Sequence, residues 1–383
     1  MRILLTTTRG AGHFGPMAPF ADAFRRAGDE ILFAGVPAGA ALAEAAGFPI
    51  ARFEEADDNR RQPVFARAAE LSERDSNHLV VGDVFVRLDA RAAFPGILRI
   101  IDDFEPDLVL HEVAEFAAPL AAEARAIPSA RIAIGLSRFG DDVAPTIAAA
   151  VDELRADFGL EADPDGERLG ATPYLTLMSP RLDDGDAPRT LRFREARTAP
   201  RPLPLRWPDE DLPLVYLTFG SVVPQMSFFP DLYRRAIDGL AALPLRLLVT
   251  VGSTADPRDL GPLPANVHAT RWVPQADVLP HTSVMVCHGG SGTMRGALAA
   301  GVPLVILPLF ADQPHNARRV AQLGAGIALD GGPSAISWLP ESVRQVRADP
   351  AYRAAAAEIA ADAWSLPPVD AAPRILREVL QTV

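Results

Sequence analysis

Lysine is absent from this 383-residue chain: all 37 strongly basic side chains are arginine, set against 49 acidic ones, for a formal net charge of -12. No basic run is present, which excludes the electrostatic footprint of a nucleic-acid binder. Cysteine occurs once, at Cys287, so neither a disulfide framework nor a thiolate metal cluster can form. No apolar stretch approaches the roughly 20 residues that cross a bilayer. The short apolar run after Met1-Arg2 is too brief for a signal peptide. The expectation is a soluble cytoplasmic protein, monomer or homodimer, with no integral membrane association.

What is present is globular. Apolar residues make up 49% of the chain, and the length suits two domains of ordinary size. Apolar runs at 3–5, 31–34, 108–110 and 132–134 read as buried strands. Helical patterns lie between them, among them 17–27, 116–125 and a stretch within 63–104. Five prolines then crowd residues 198–213 together with Trp207, which reads as a linker. A second series of strands follows at 214–217, 247–249, 284–286 and 304–306, with helices near 229–242, 291–300 and 314–323. Continuous apolar strands alternating with helices predict parallel sheets covered on both faces. The expected fold class is α/β, with two Rossmann-like doubly wound domains facing a cleft. The expected boundaries are 1–198, a linker at 199–213, and 214–366. A helix within 367–383 is expected to pack back on the first domain.

Two glycine-rich segments carry the chemistry. Gly10-Ala11-Gly12-His13-Phe14-Gly15 matches the dinucleotide pattern G-x-G-x-x-G, but the second strand ends in Phe33-Ala34-Gly35, with no carboxylate to hold a ribose. His13 at the centre of this mobile loop instead offers a group that titrates near neutrality and can accept a hydroxyl proton; a helix cap with no chemistry is the plainer alternative. In Cys287-His288-Gly289-Gly290-Ser291-Gly292-Thr293 a strand runs into a turn and then a helix. Free amides and the helix dipole form an anion site there, and Ser291, Thr293 and His288 add donors. Without lysine it is not a Walker loop.

These segments resemble the family 1 glycosyltransferases, which have the GT-B fold. The resemblance is carried by Trp272-Val273-Pro274-Gln275, the His288–Thr293 segment, Gly301-Val302-Pro303, Pro308, and Asp312-Gln313 with Asn316. The Gly10–Pro16 segment is similar to that family's opening G-x-G-H-x-x-P, and Thr218-Phe219-Gly220-Ser221 to the motif that opens its second domain. Bacterial natural-product members look closest.

The resemblance implies roles at the matching positions. Trp272 stacks on the nucleobase, and Val273 and Gln275 contact base and ribose. His288, Gly290, Ser291, Gly292 and Thr293 hold the diphosphate, with Ser221 nearby. Asp312 and Gln313 hydrogen-bond sugar hydroxyls. His13 is the general base, oriented by a carboxylate at the end of a later strand, for which Glu112 is preferred to Glu115; helix capping is the other reading of Glu112. Plant members carry a glutamate for the ribose hydroxyls where this chain has Gly296, which implies a 2′-deoxy donor, a dTDP-sugar.

The implied reaction is inverting, metal-independent transfer from a nucleotide sugar, the co-substrate, to a hydroxyl of a small apolar acceptor. No further cofactor is expected. Phe65, Leu79, Val80, Phe85, Leu88 and Phe94 are candidates for the acceptor pocket, though each reads individually as core. The acidic pairs Asp57-Asp58, Asp102-Asp103, Asp141-Asp142 and Asp183-Asp184 read as solvated surface rather than metal ligands. A sugar-nucleotide epimerase or hydrolase, a silent nucleotide-sugar binding protein and a dinucleotide oxidoreductase are the competing readings.

Overall fold

The structure, a computed structural model, describes residues 1–185, 187–196, 199–203 and 205–381. The expected boundary at Thr198, Pro204 of the expected linker and the last two residues of the C-terminal segment lie outside them. The chain divides into two compact units. The first comprises Met1–Met178, Asp183–Ala196 and the stretch from Leu366 onward, and the second Ser179–Leu182 with the chain between Ala196 and Leu366.

The first unit is built on seven strands: β1 Arg2–Thr7, β2 Glu30–Gly35, β3 Ile50–Arg52, β4 Leu108–Glu112, β5 Ser129–Ile132, β6 Tyr174–Thr176 and β7 Thr190–Arg192. They lie in the order β3-β2-β1-β4-β5-β6-β7, and the pairings are parallel. Ile3 and Leu5 join one core cluster, while Leu4 joins another on the opposite face. Burial on both sides explains why β1 is continuously apolar. β5 ends at Ile132, short of the expected 132–134. The three-residue strands β3, β6 and β7 carry too little pattern to be read from the sequence.

The C-terminal helix Ala372–Leu380 buries Leu376 in the first unit's core. Its Arg377 donates to buried Asp29 at 2.6 Å. One acidic pair differs from expectation. Asp183 is buried and accepts from the Ser137 amide at 3.0 Å and the Ser137 hydroxyl at 2.7 Å. It thus satisfies the start of the helix Ser137–Asp157 from a distant loop rather than facing water.

The second unit holds β8 Leu214–Thr218, β9 Arg246–Thr250, β10 Val267–Thr270, β11 Thr282–Cys287, β12 Leu304–Ile306 and β13 Gly326–Ala328. Their order is β10-β9-β8-β11-β12-β13. Part of the expected linker packs on this unit. Trp207 is buried, with its ring edge-on to His268 at 4.8 Å, because an indole in a proline-rich segment gains more from burial than from water.

In both sheets the strand order reverses at one point, between β1 and β4 and between β8 and β11. Ligands of open parallel sheets bind beyond the strand carboxyl ends at such reversals. No helix among the described residues is long and apolar enough to cross a membrane.

Candidate active site

In the first unit the reversal brings the ends of β1 and β4 side by side. Gly10, with φ +100°, turns the chain after β1. The helix Ala11–Arg26 starts at once, and the amides of His13 and Phe14 both donate to the Gly10 carbonyl at 3.2 Å. His13 therefore stands in a helical first turn, not at the centre of a mobile loop. The expectation failed because Pro16 and Pro19 argue against a helix interior. Each stands four residues after a glycine, Gly12 and Gly15, so the carbonyl that its ring crowds belongs to a residue with no Cβ.

His13 Nδ1 lies 3.0 Å from Oε1 of Glu112, the last residue of β4. The Thr8 hydroxyl donates to the same oxygen at 2.7 Å and lies 2.9 Å from Nδ1. A single hydroxyl proton serves one bond, so this arrangement assigns a proton to Nδ1. Nε2 is then the basic nitrogen. The Ala114 amide donates to Glu112 Oε2 at 2.6 Å. Burial alone would raise the Glu112 carboxyl, but His13, the Thr8 hydroxyl and the Ala114 amide together hold it below its ordinary value. Glu115, three residues on, behaves oppositely: burial pushes it up to about 7 despite bonds from Thr6 and the Ala117 and Ala118 amides. Two neighbouring carboxyls pushed apart have separate roles: Glu112 is the charged partner of the imidazole, and Glu115 anchors the turn. Thr8 was not singled out in the sequence, since threonines at strand ends are commonplace.

Beside His13 opens a cavity of about 210 Å³ lined by residues of the first unit, including Phe53, Phe65, Phe85 and Phe116. Phe85 meets the His13 ring edge-on at 6.2 Å. Of the expected pocket residues, Phe65 and Phe85 line this space; Phe94 instead stacks on Phe158 at 3.7 Å in the core. Leu79, Val80 and Leu88 are not among the lining residues.

The second unit repeats the arrangement between β8 and β11. The helix Ser291–Ala299 follows the glycine turn. Its first intrahelical bond runs from the Met294 amide to the Gly290 carbonyl at 3.0 Å, so the amides of Ser291, Gly292 and Thr293 are left as the unsatisfied donors of a helix start. The His288 ring is wedged between the turns: a Cβ at Gly220 would stand 2.6 Å from its Cε1, and one at Gly290 2.5 Å from its Nε2. Only glycine fits at these two positions. Gly220 also adopts φ +78°, which places Ser221, an exposed residue, beyond the end of β8. Burial pushes the His288 imidazole down to about 4, which keeps it neutral.

The Ser291 hydroxyl donates to Asp312 Oδ2 at 2.7 Å. Asn316 is fully buried and ties the loop together, donating to the Gly289 carbonyl at 2.8 Å, Ser291 Oγ at 3.0 Å and Asp312 Oδ2 at 2.9 Å. The sequence motif contained Asn316, but its part in clamping the loop is visible only in three dimensions. Gln313 is buried and its Oε1 accepts from the Leu309 and Phe310 amides at 2.9 and 3.2 Å. This leaves Nε2 as its spare hydrogen-bonding group. Trp272 presents 68% of its surface to solvent, an unusual degree of exposure for a tryptophan. Val273 and Gln275 are half-buried beside it.

Two parallel-sheet units, each with a glycine turn and a helix start at its strand reversal, define an α/β protein of the GT-B class. Residues 234–378 match the family described as "Erythromycin biosynthesis protein CIII-like, C-terminal domain". The chain is 31% identical to the elloramycin glycosyltransferase ElmGT of Streptomyces olivaceus, over 98% of this chain and 97% of that one. It is 29% identical to the L-demethylnoviosyl transferase of Streptomyces niveus, over 94% and 93%. Among solved structures, the spinosyn rhamnosyltransferase SpnG superposes over 98% of this chain and 100% of its own, at 23% identity and a TM-score of 0.83 in its complex with spinosyn aglycone. Its complex with thymidine diphosphate gives 0.82 at 22% identity. This chain belongs to the bacterial natural-product glycosyltransferases of family 1, and it is a hexosyltransferase-type enzyme with the GT-B fold.

Proposed function

We propose that the chain is an inverting glycosyltransferase that moves a sugar from a dTDP-sugar to a hydroxyl of a small, largely apolar aglycone. The observation that carries this reading is the His13–Glu112 pair beside a cavity walled in large part by aromatic side chains. An aromatic-walled cavity suits an aglycone, which favours transfer over hydrolysis or epimerisation of the sugar nucleotide.

The two units divide the chemistry. In the first, His13 Nε2 takes the proton of the acceptor hydroxyl as its oxygen bonds to the anomeric carbon. Glu112 stabilises the imidazolium that forms. In the second, the bond from the anomeric carbon to the diphosphate oxygen breaks. The Ser291, Gly292 and Thr293 amides, the Thr293 hydroxyl and neutral His288 meet the developing charge; Ser221 stands near the phosphates. One displacement inverts the anomeric centre. Trp272 stacks on the base, Val273 and Gln275 contact base and ribose, and Asp312 with Gln313 Nε2 meets sugar hydroxyls. Amides, hydroxyls and a helix dipole supply the charge stabilisation without a metal. The thymidine assignment rests on Gly296, which brings no carboxylate to a ribose 2′-hydroxyl.

The test is a panel of dTDP- and UDP-sugars crossed with polycyclic aglycones, with products read by mass and anomeric configuration by NMR. Inverted glycosides formed from dTDP-sugars are expected. Free sugar formed at the same rate with and without aglycone, or a retained configuration, would refute the reading.

A further inference from the structure

One wall of the cavity beside His13 is not apolar. Between the helices Glu73–Leu79 and Arg91–Phe104 the backbone runs as an 11-residue π-helix, Val80–Ala90. Its wider turn brings residues five apart to one face: Val84 with Asp89, and Phe85 with Ala90, all line the cavity. π-helical turns are rare and recur at functional sites.

Asp89 is held rigidly. Its Oδ1 accepts from the Ala56 amide at 3.2 Å and from Arg61 Nη1 at 3.4 Å. Arg61 is itself buried and fixed by Glu55 at 2.9 Å and Asp58 at 2.5 Å. The other oxygen, Oδ2, accepts no hydrogen bond from any described residue, and the side chain keeps 20% of its surface exposed. Burial raises the carboxyl above its ordinary value. A carboxylate oxygen that opens on the cavity and has no protein donor is left to water, and a ligand's hydrogen-bond donor placed there takes the water's position.

We propose that Asp89 is a specificity-determining residue that selects acceptors carrying a second hydrogen-bond donor, a hydroxyl or an ammonium, besides the hydroxyl that is glycosylated. The inference rests on the cavity's being the acceptor site. It defines the aglycone as an apolar ring system with a polar donor at a second position. A site that hydrogen-bonds a substrate hydroxyl discriminates strongly against the analogue that lacks it.

The experiment measures binding of naphthol, dihydroxynaphthalene, aminomethylnaphthol and hydroxynaphthaldehyde by fluorescence titration, with turnover from a dTDP-sugar as a second readout. The full-length protein should bind the dihydroxy or aminomethyl compound at least about tenfold more tightly than naphthol. Asp89→Asn keeps an Oδ1 for the Ala56 amide but turns Oδ2 into a donor. It should lose that preference and gain for the aldehyde, a pure acceptor. A larger loss for the aminomethyl compound than for the dihydroxy one would identify the ammonium as the natural partner. Equal affinities across the four compounds in the wild type would overturn the inference without any variant, and so would an unchanged order in a folded Asp89→Asn. If the preference holds while no glycoside forms from any sugar nucleotide, Asp89 keeps its role and the transferase reading of this site fails.

Discussion

The side-chain carbonyl oxygen of Gln275 occupies the space above Gly296: a Cβ built on Gly296 would fall 2.6 Å from Gln275 Oε1. Position 296 therefore cannot gain a side chain unless Gln275 moves. Gly296→Glu alone is expected to lower turnover with a dTDP-sugar by displacing Gln275, without improving use of the UDP form. Gly296→Glu combined with Gln275→Ala opens the space and should shift the dTDP-to-UDP ratio of kcat/KM toward UDP. Equal use of both nucleotides by the wild type would remove the basis for this prediction.

His13→Ala should reduce transfer by about 10²- to 10⁴-fold, the range for loss of a general base, while dTDP binding measured by calorimetry stays within error. Glu112→Gln keeps an oxygen for the His13 Nδ1 proton and removes the charge that stabilises the imidazolium. A fall in kcat with little change in donor KM is expected. Undiminished kcat in Glu112→Gln would mean that the carboxylate serves only to cap the turn.

Asn316 presents one buried amide nitrogen to three acceptors, so one of its two protons is shared between two of them. Asn316→Ala leaves the Gly289 carbonyl and Asp312 without that donor, at a cost of about 1–3 kcal/mol. The melting temperature should drop and, on the proposed reading, the donor KM should rise with it, because the same amide fixes the loop assigned to the diphosphate. Ser291→Ala should raise donor KM with a much smaller effect on melting.

Burial, reinforced by the Arg131 charge, pushes the His111 imidazole down to about 4 from 6.5, and burial does the same to His288. The native state then binds fewer protons than the unfolded chain between those values. Stability is complete above pH 6.5 and declines as pH falls toward 4. Glu115 works in the opposite sense over an overlapping window: raised from 4.5 to about 7, its contribution is present below 4.5 and lost as pH climbs through 7. Urea denaturation across pH 4 to 8 should give a maximum near neutrality, and His111→Gln should flatten the acid limb. An acid limb equally steep in that variant would show that His111 is not its source.

On the proposed mechanism transfer should survive exhaustive chelation with EDTA, since charge stabilisation is assigned there to the amides at the start of the Ser291–Ala299 helix together with His288. Activity lost on chelation and regained with a divalent cation would contradict that assignment.

Much of the second unit was legible in the sequence. Its candidate donor residues fall in short runs, 272–275, 288–293 and 312–313, whose spacing is local and whose glycines mark a turn between a strand and a helix. Local backbone geometry sets such a loop, so the chain order alone indicates it. The sequence also indicated the alternation of buried strands and helices, because burial on both faces imposes continuous apolar runs. What it misjudged were the start of the His13 helix, where Gly12 and Gly15 accommodate prolines that ordinarily break helices, and the burial of Asp183.

Only the tertiary structure decided which groups meet. Glu112 stands 99 residues from His13, and their contact exists because β1 pairs with β4 rather than with the next strand in the chain on that side. Thr8, Asn316 and the aromatic cavity entered the site the same way, through the order of strands. Asp89 entered through a π-helical stretch that no residue pattern announces. Short-range spacing records the chain's local geometry, whereas partners across a sheet are selected by the packing of the whole domain.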